Sequence, residues 1–264
     1  MLDTARFAET YNRQGYLSEV PIIAPQEAAQ YRAELEAIEA ARGPMHYKAK
    51  MHTVLPWVWD LVTHPNILDT VEALIGPDIL LYDSEFIIKE PNTPSFVSWH
   101  QDLTFWGLSD DAQVSLWLAL SPANAQSGCM RMIPGSHTRG VWAHETSEDE
   151  DNVLLQSQTV KGVDEEAAVL CPLEPGQASF HHGWTLHASM PNESTDRRIG
   201  FNAQFIAPHV RQTKHDHDTA LLVRGEDRYG HFKADVAATE SFGAEATQCW
   251  EVLNKLHVDT QGAR

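Results

Sequence analysis

The sequence predicts a mainly β chain with flanking helices, a sandwich or barrel of short strands, and three observations carry that prediction. From Ile79 to about Ile206, short runs rich in β-branched and aromatic residues are punctuated by turn signals at Ser127-Gly128, Pro134-Gly135 and Pro175-Gly176. Two of these runs repeat with period two: Val114, Leu116, Leu118 and Leu120 against Ser115, Trp117 and Ala119, then Ile199, Phe201, Ala203 and Phe205 against Arg198, Gly200, Asn202 and Gln204. The helical patterns all lie outside that span.

Taken in order, Pro25 to Arg42 reads as an amphipathic helix, with Ala28, Tyr31, Leu35 and Ile38 at spacings of three and four and a stop at Gly43-Pro44. The apolar cluster Val54 to Val62, with Trp57 and Trp59, reads as half-buried. Pro65 opens a helix with Ile67, Leu68, Val71, Leu74 and Ile75 on one face, closed by Gly76-Pro77. Ile79 to Lys89 reads as one or two strands, Pro91 to Pro94 as a turn, and Phe96 to Gln101 as a strand. Glu145 to Asp151 carries five acids and reads as a solvated loop, with a lid over the site as the alternative. His215-Asp-His-Asp218 reads as a surface loop rather than a ligand pair. Ala246, Cys249, Trp250, Leu253 and Leu256 define a last amphipathic helix docked on the core. The expected organisation is one domain over 1–264: a helical part to about 77, a β core from about 78 to 207, and a C-terminal extension over 208–264.

Composition narrows the function. At 264 residues, 42% hydrophobic and 21% charged, the chain can bury a sizeable core. A net charge of −18 with no basic stripe argues against nucleic acid. No apolar run is long enough to span a bilayer and Met1 to Phe7 lacks a signal-peptide pattern, so no membrane partner and a cytoplasmic location are expected. Cys129, Cys171 and Cys249 are odd in number and far apart, which suggests buried thiols rather than disulfides or a zinc site.

The chemistry centres on Ser98 to Trp106. His100 and Asp102, two apart on an extended segment, are expected to point the same way and so to offer two-thirds of a metal site. Iron(II) in oxygen-using enzymes is commonly held by two His and one carboxylate on one face, so a third ligand is required downstream. His187 follows the Pro175-Gly176 turn, with His181 and His182 as competitors. Arg198, eleven residues after His187, falls on the polar face of its strand, where its planar fork can meet a carboxylate bidentately.

The run His100-Gln-Asp102, Trp106-Gly, Trp117-Leu-Ala-Leu, Ser127 to His137, and His187-x-Ser189-x-Pro-Asn192 followed by Arg198 resembles the phytanoyl-CoA dioxygenase (PhyH-like) family, well over Asp78 to Ile206 and loosely over the N-terminal helices. The resemblance implies a double-stranded β-helix (jelly-roll, cupin-like) core and a non-haem Fe(II), 2-oxoglutarate-dependent dioxygenase using O2. It implies His100, Asp102 and His187 as iron ligands, Arg198 on the distal carboxylate of 2-oxoglutarate, and Ser189 as a helper there. The family also contains halogenases in which a small residue replaces the carboxylate ligand; Asp102 therefore points to hydroxylation of an unactivated C–H bond, releasing succinate and CO2.

Lys89, Phe105, Trp106, Arg131 and Asn202 are candidate substrate contacts, and a buried Lys89 or Arg131 would suggest an anionic substrate. So few basic residues favour a compact small molecule over a CoA thioester, acting on a monomer or homo-oligomer. Two other classes stay open: a non-catalytic jelly-roll sensor of metal or ligand, and a zinc cupin-type isomerase.

Overall fold

In the computed structural model, which describes residues 2–147, 149–154 and 158–262, the chain opens with helix α1 (Thr4–Gln14). Asp3 caps it on the Arg6 amide, and Gly15 ends it in the left-handed region at φ 84°. Strand β1 (Tyr16–Pro21) follows. Helix α2 (Pro25–Arg42) has the bounds its Pro start and Gly stop dictate. The Trp57 and Trp59 cluster is helix α3 (Pro56–Val62), and α4 (Pro65–Ile75) comes next.

The strands are β2 (Ile79–Lys89), β3 (Val97–His100), β4 (Gln113–Ala119), β5 (Met130–Met132), β6 (His144–Thr146), β7 (Gln158–Val160), β8 (Val169–Cys171), β9 (Gln177–His181), β10 (His187–Ser189), β11 (Arg198–Ile206), β12 (Thr219–Arg224) and β13 (Lys233–Ala234). One helical turn, α5 (Leu103–Trp106), lies between β3 and β4, and α6 (Ala244–Gly262) closes the chain. Glu148 of the acidic stretch lies outside the described residues; the rest of it leads out of the small β6–β7 hairpin.

The larger sheet has seven strands in the order β1-β9-β4-β11-β2-β12-β13, and the smaller has four in the order β3-β10-β5-β8. One face of the larger sheet presents Leu116, Leu118, Phe180, Ile199, Phe201 and Phe205 to Leu35, Val58, Leu61, Ile67 and Val71 of the helices. Each such side chain, fully buried, contributes about 1.5–3 kcal/mol. The alternation in β4 and β11 then forces Ser115, Trp117, Arg198, Asn202 and Gln204 onto the opposite face. There Trp117 and Ala119 meet Met130, Met132 and Cys171 of the smaller sheet, so the two sheets pack face to face as a jelly roll. Cys129 and Cys171 are buried free thiols, whereas Cys249 is exposed on α6.

The C-terminal portion is more than an appendage. Strand β12 pairs with β2, and α6 is tied down by Lys214, whose Nζ donates to the carbonyls of Thr260 and Phe105.

Candidate active site

Strand pairing brings the first two candidates together. His187 on β10 lies directly opposite His100 at the end of β3. The extended segment stops there: Asp102 has helical dihedrals, φ −57° and ψ −47°, at the head of α5. The two-residue strand period therefore does not explain why His100 and Asp102 meet. A turn does, folding the carboxylate back so that its Oδ1 lies 3.3 Å from His100 Nε2 and 3.5 Å from His187 Nε2.

The orientation of both imidazoles is fixed from behind. His100 Nδ1 is 2.8 Å from the Ser98 carbonyl and His187 Nδ1 is 3.0 Å from that of Thr185, so each donates Nδ1–H outward. Each Nε2 then faces the centre with its lone pair. One atom from each of His100, Asp102 and His187 lies within 4.8 Å of the other two, close enough to share one metal ion.

His181 does a different job. Its Nε2 lies 3.0 Å from Asp102 Oδ2, and the Ser115 hydroxyl donates to that same oxygen at 2.8 Å. The far side of the carboxylate is thus occupied and Oδ1 alone is turned to the histidines. Burial pushes the Asp102 carboxyl up, but the adjoining imidazoles of His187, His100 and His181 outweigh it and hold the group well below its usual range. Burial, reinforced by His100, drives His187 down and keeps its imidazole neutral. His182 faces Asp111 at 3.8 Å, away from this cluster.

At the other end of β11, Arg198 is 1% exposed and pairs in register with Lys89 of β2, also 1% exposed. The guanidinium donates to the Gly128 carbonyl at 2.8 Å, lies 5.1 Å from the Trp117 ring centre, and leaves its buried Nε without a partner. Burial lowers its pKa to about 10, so it remains a cation at neutral pH. The Lys89 ammonium donates to Ser189 Oγ at 2.7 Å and to the Ser189 and Met190 carbonyls. Burial and the adjacent Arg198 bring its pKa down to about 6. Neither Arg198 nor Lys89 has a carboxylate within salt-bridge distance among the described residues.

A cavity of about 160 Å³ connects the two groups. Phe105, Trp106, Ser189, Arg198 and Asn202 all line it. Lys89 is held behind Ser189, and Arg131 is turned away: its guanidinium binds Glu165 at 2.7 Å and lies over Trp99. His217 and Asp216 are exposed, but Asp218 of the same stretch is buried and accepts from the Tyr82 hydroxyl at 2.8 Å, a structural contact.

Several lining residues are assigned no role from the sequence: Tyr47, Glu85, Trp117, and His257 and Gln261 of α6. For Trp117 a signal existed, since it shares the polar face of β4 with Ser115. Gly200 on the neighbouring strand explains how the indole fits there, because a Cβ at 200 would come 2.0 Å from Trp117. For α6 no local signal existed; its place in the roof comes from long-range docking.

The comparisons with known proteins agree with this architecture. The family model described as phytanoyl-CoA dioxygenase (PhyH) matches residues 11–200. The probable alpha-ketoglutarate-dependent hypophosphite dioxygenase of Stutzerimonas stutzeri is 29% identical over 180 residues, which are 66% of this chain and 63% of that protein, so this chain spans a little under two-thirds of that relative's length. Among solved structures, the apo form of the non-heme monooxygenase ThoJ superposes with a TM-score of 0.85 at 30% identity, covering 97% of this chain and 98% of that one. CytC3 with Fe(II) and alpha-ketoglutarate superposes with a TM-score of 0.66 at 25% identity, covering 90% and 94%. With the family match covering residues 11–200, the His-Asp-His cluster included, the chain belongs to the phytanoyl-CoA dioxygenase (PhyH) family.

Proposed function

We propose that this protein is an Fe(II)- and 2-oxoglutarate-dependent oxygenase that hydroxylates an unactivated C–H bond of a compact organic molecule, with His100, Asp102 and His187 as the metal ligands. The observation that carries the reading is the convergence of two Nε2 lone pairs and one carboxylate oxygen, each oriented by a separate hydrogen bond from behind. Two imidazoles and a carboxylate on one face are a donor set suited to iron(II) with open positions for cosubstrate and oxygen. When bound, iron(II) with 2-oxoglutarate and O2 supplies the oxidising power, and succinate and CO2 are the coproducts.

The chain's own residues supply placement. Among the described residues Arg198 is a buried cation lacking an anion of its own, and a dicarboxylate resolves that imbalance by presenting its distal carboxylate to the guanidinium fork. Lys89 and Ser189 stand beside it as further donors once a carboxylate restores the charge of the amine. Trp117 and Phe105 keep the cavity wall apolar, which excludes water from the reacting carbon. The retained carboxylate of Asp102 favours hydroxylation over halogenation. The relatives support the assignment by the cosubstrate and the monooxygenase activity in their descriptions.

Anaerobic titration of the apoprotein with Fe(II) and then 2-oxoglutarate tests this. The visible charge-transfer band of the chelate is expected in the wild type and absent in Asp102→Ala and His187→Ala. Demonstrable metal binding without that band would sink the oxygenase reading and favour a metal sensor or an isomerase.

A further inference from the structure

The inward face of β11 carries Arg198 at one end and Asn202 and Gln204 further along, and these two ends of the cavity differ in charge. Four residues of strand separate Arg198 from Asn202 by roughly 13 Å, enough for the cosubstrate to occupy the first end and leave the second to the substrate. Arg198 is the one Lys or Arg among the described residues lining the cavity. The far end presents acceptors instead. Glu85, 9% exposed and opposite Asn202 in register, receives the Asn202 amide on Oε1 at 3.1 Å. A carboxylate has about four acceptor sites, so capacity remains on the cavity side. Gln204, 3% exposed, keeps its own Oε1 buried and unpartnered. Tyr47, Trp106 and Trp117 offer aromatic faces along the same cavity.

We propose that this end recognises a protonated nitrogen group on the substrate, an ammonium or amidinium, which Glu85 holds by charge, Gln204 Oε1 by hydrogen bonding, and the aromatic walls by cation–π contact. The proposal rests on the oxygenase reading and adds the substrate class to it. It also replaces the expectation of an anionic substrate, since Arg131 lies off the cavity and Lys89 is engaged with Ser189. A buried carboxylate costs stability unless its charge is compensated, and a cationic ligand can take the place of the proton that does so in the empty site.

The protonation state is consistent with this role. Burial, together with Asp83 and Asp102, pushes the Glu85 carboxyl up to about 8, against the Asn202 amide that favours its charged form. The other charged or titratable groups around this end are Tyr47 and, on α6, His257, whose Nε2 lies 3.3 Å from Asp83 Oδ2. Near neutral pH the empty site holds a proton, and arrival of a cation displaces it to solvent.

The test uses protein loaded with Mn(II) and 2-oxoglutarate and three probes of one shape: benzylammonium, benzyl alcohol and benzoate, followed by calorimetry near neutral pH. Benzylammonium is expected to bind at least about tenfold more tightly than either of the others. Glu85→Gln, of the same shape, is expected to lose that preference while loading Mn(II) and 2-oxoglutarate as wild type does. Absence of a cation preference in the wild type, or its survival in Glu85→Gln, overturns the proposal. Failure of the wild type to load Mn(II) and 2-oxoglutarate sinks the oxygenase reading instead, and the same three probes on the metal-free protein then decide the cation site by itself.

Discussion

Two clusters of buried charge differ in how far the chain itself satisfies them. Around Lys50, 1% exposed, the ammonium donates to the Tyr82 and Thr219 carbonyls and pairs with Asp235 at 3.2 Å, while His52 meets the same carboxylate at 3.1 Å. Neighbouring Asp218 takes donors from Tyr82, Gln212 and the Thr219 amide. Around Arg198 and Lys89, by contrast, the acceptors are carbonyls and one hydroxyl, and no anion faces either side chain among the described residues. Charge that the fold neutralises is scaffolding; charge that it leaves open is a place for something from outside.

Stability gives the largest test of that distinction. Lys50→Met takes the ammonium from the buried Asp235 carboxylate, leaving it His52 in place of an ion pair, and is expected to cost about 3–5 kcal/mol in urea unfolding. Arg198→Met strands no anion and is expected to stay within about 1 kcal/mol of wild type. Equal losses in the two variants would erase the contrast.

Function should respond in the opposite order. Removing the charge-assisted bonds of Arg198 is expected to raise the 2-oxoglutarate concentration for half-saturation by about ten- to a hundredfold, corresponding to about 1.5–3 kcal/mol. Lys50→Met, measured well below its melting temperature, should leave that concentration unchanged.

A smaller effect concerns the support of Asp102. Ser115→Ala takes one of two donors from the outer carboxylate oxygen, and metal affinity is expected to fall by about tenfold. An unchanged affinity would assign the orientation of Asp102 to His181 alone.

The subtlest test is in the pH dependence. Glu85 rises from 4.5 to about 8 on folding, so between those values the folded chain holds a proton that the unfolded chain has lost. Its contribution is fully present below the unfolded pKa and is lost as the pH rises through the folded one. In Glu85→Gln the fall in melting temperature between about pH 5 and pH 8 is expected to be shallower than in wild type. Parallel curves would mean that Glu85 already ionises at its ordinary pKa in the empty protein.

Much of this was legible in the residue order because the signals are local. Pro and Gly bracket α2 and α4, and period two in β4 and β11 sorts each residue onto the helix-packed or the cavity face. His100, Asp102, His187 and Arg198 stand out because metal and carboxylate chemistry needs those side chains, and their spacing matches a family. The tertiary structure decided the rest. Whether His181 or His187 joins His100 depends on which strand pairs with β3, and β10 does while β9 pairs with β4. The convergence of Asp102 comes from a turn rather than from strand geometry. Arg131 leaves the cavity for Glu165, and Glu85 and His257 enter it, through contacts between positions far apart in the chain. Period and composition report which face a side chain takes; only the pairing of distant strands and the docking of α6 fix what stands across from it.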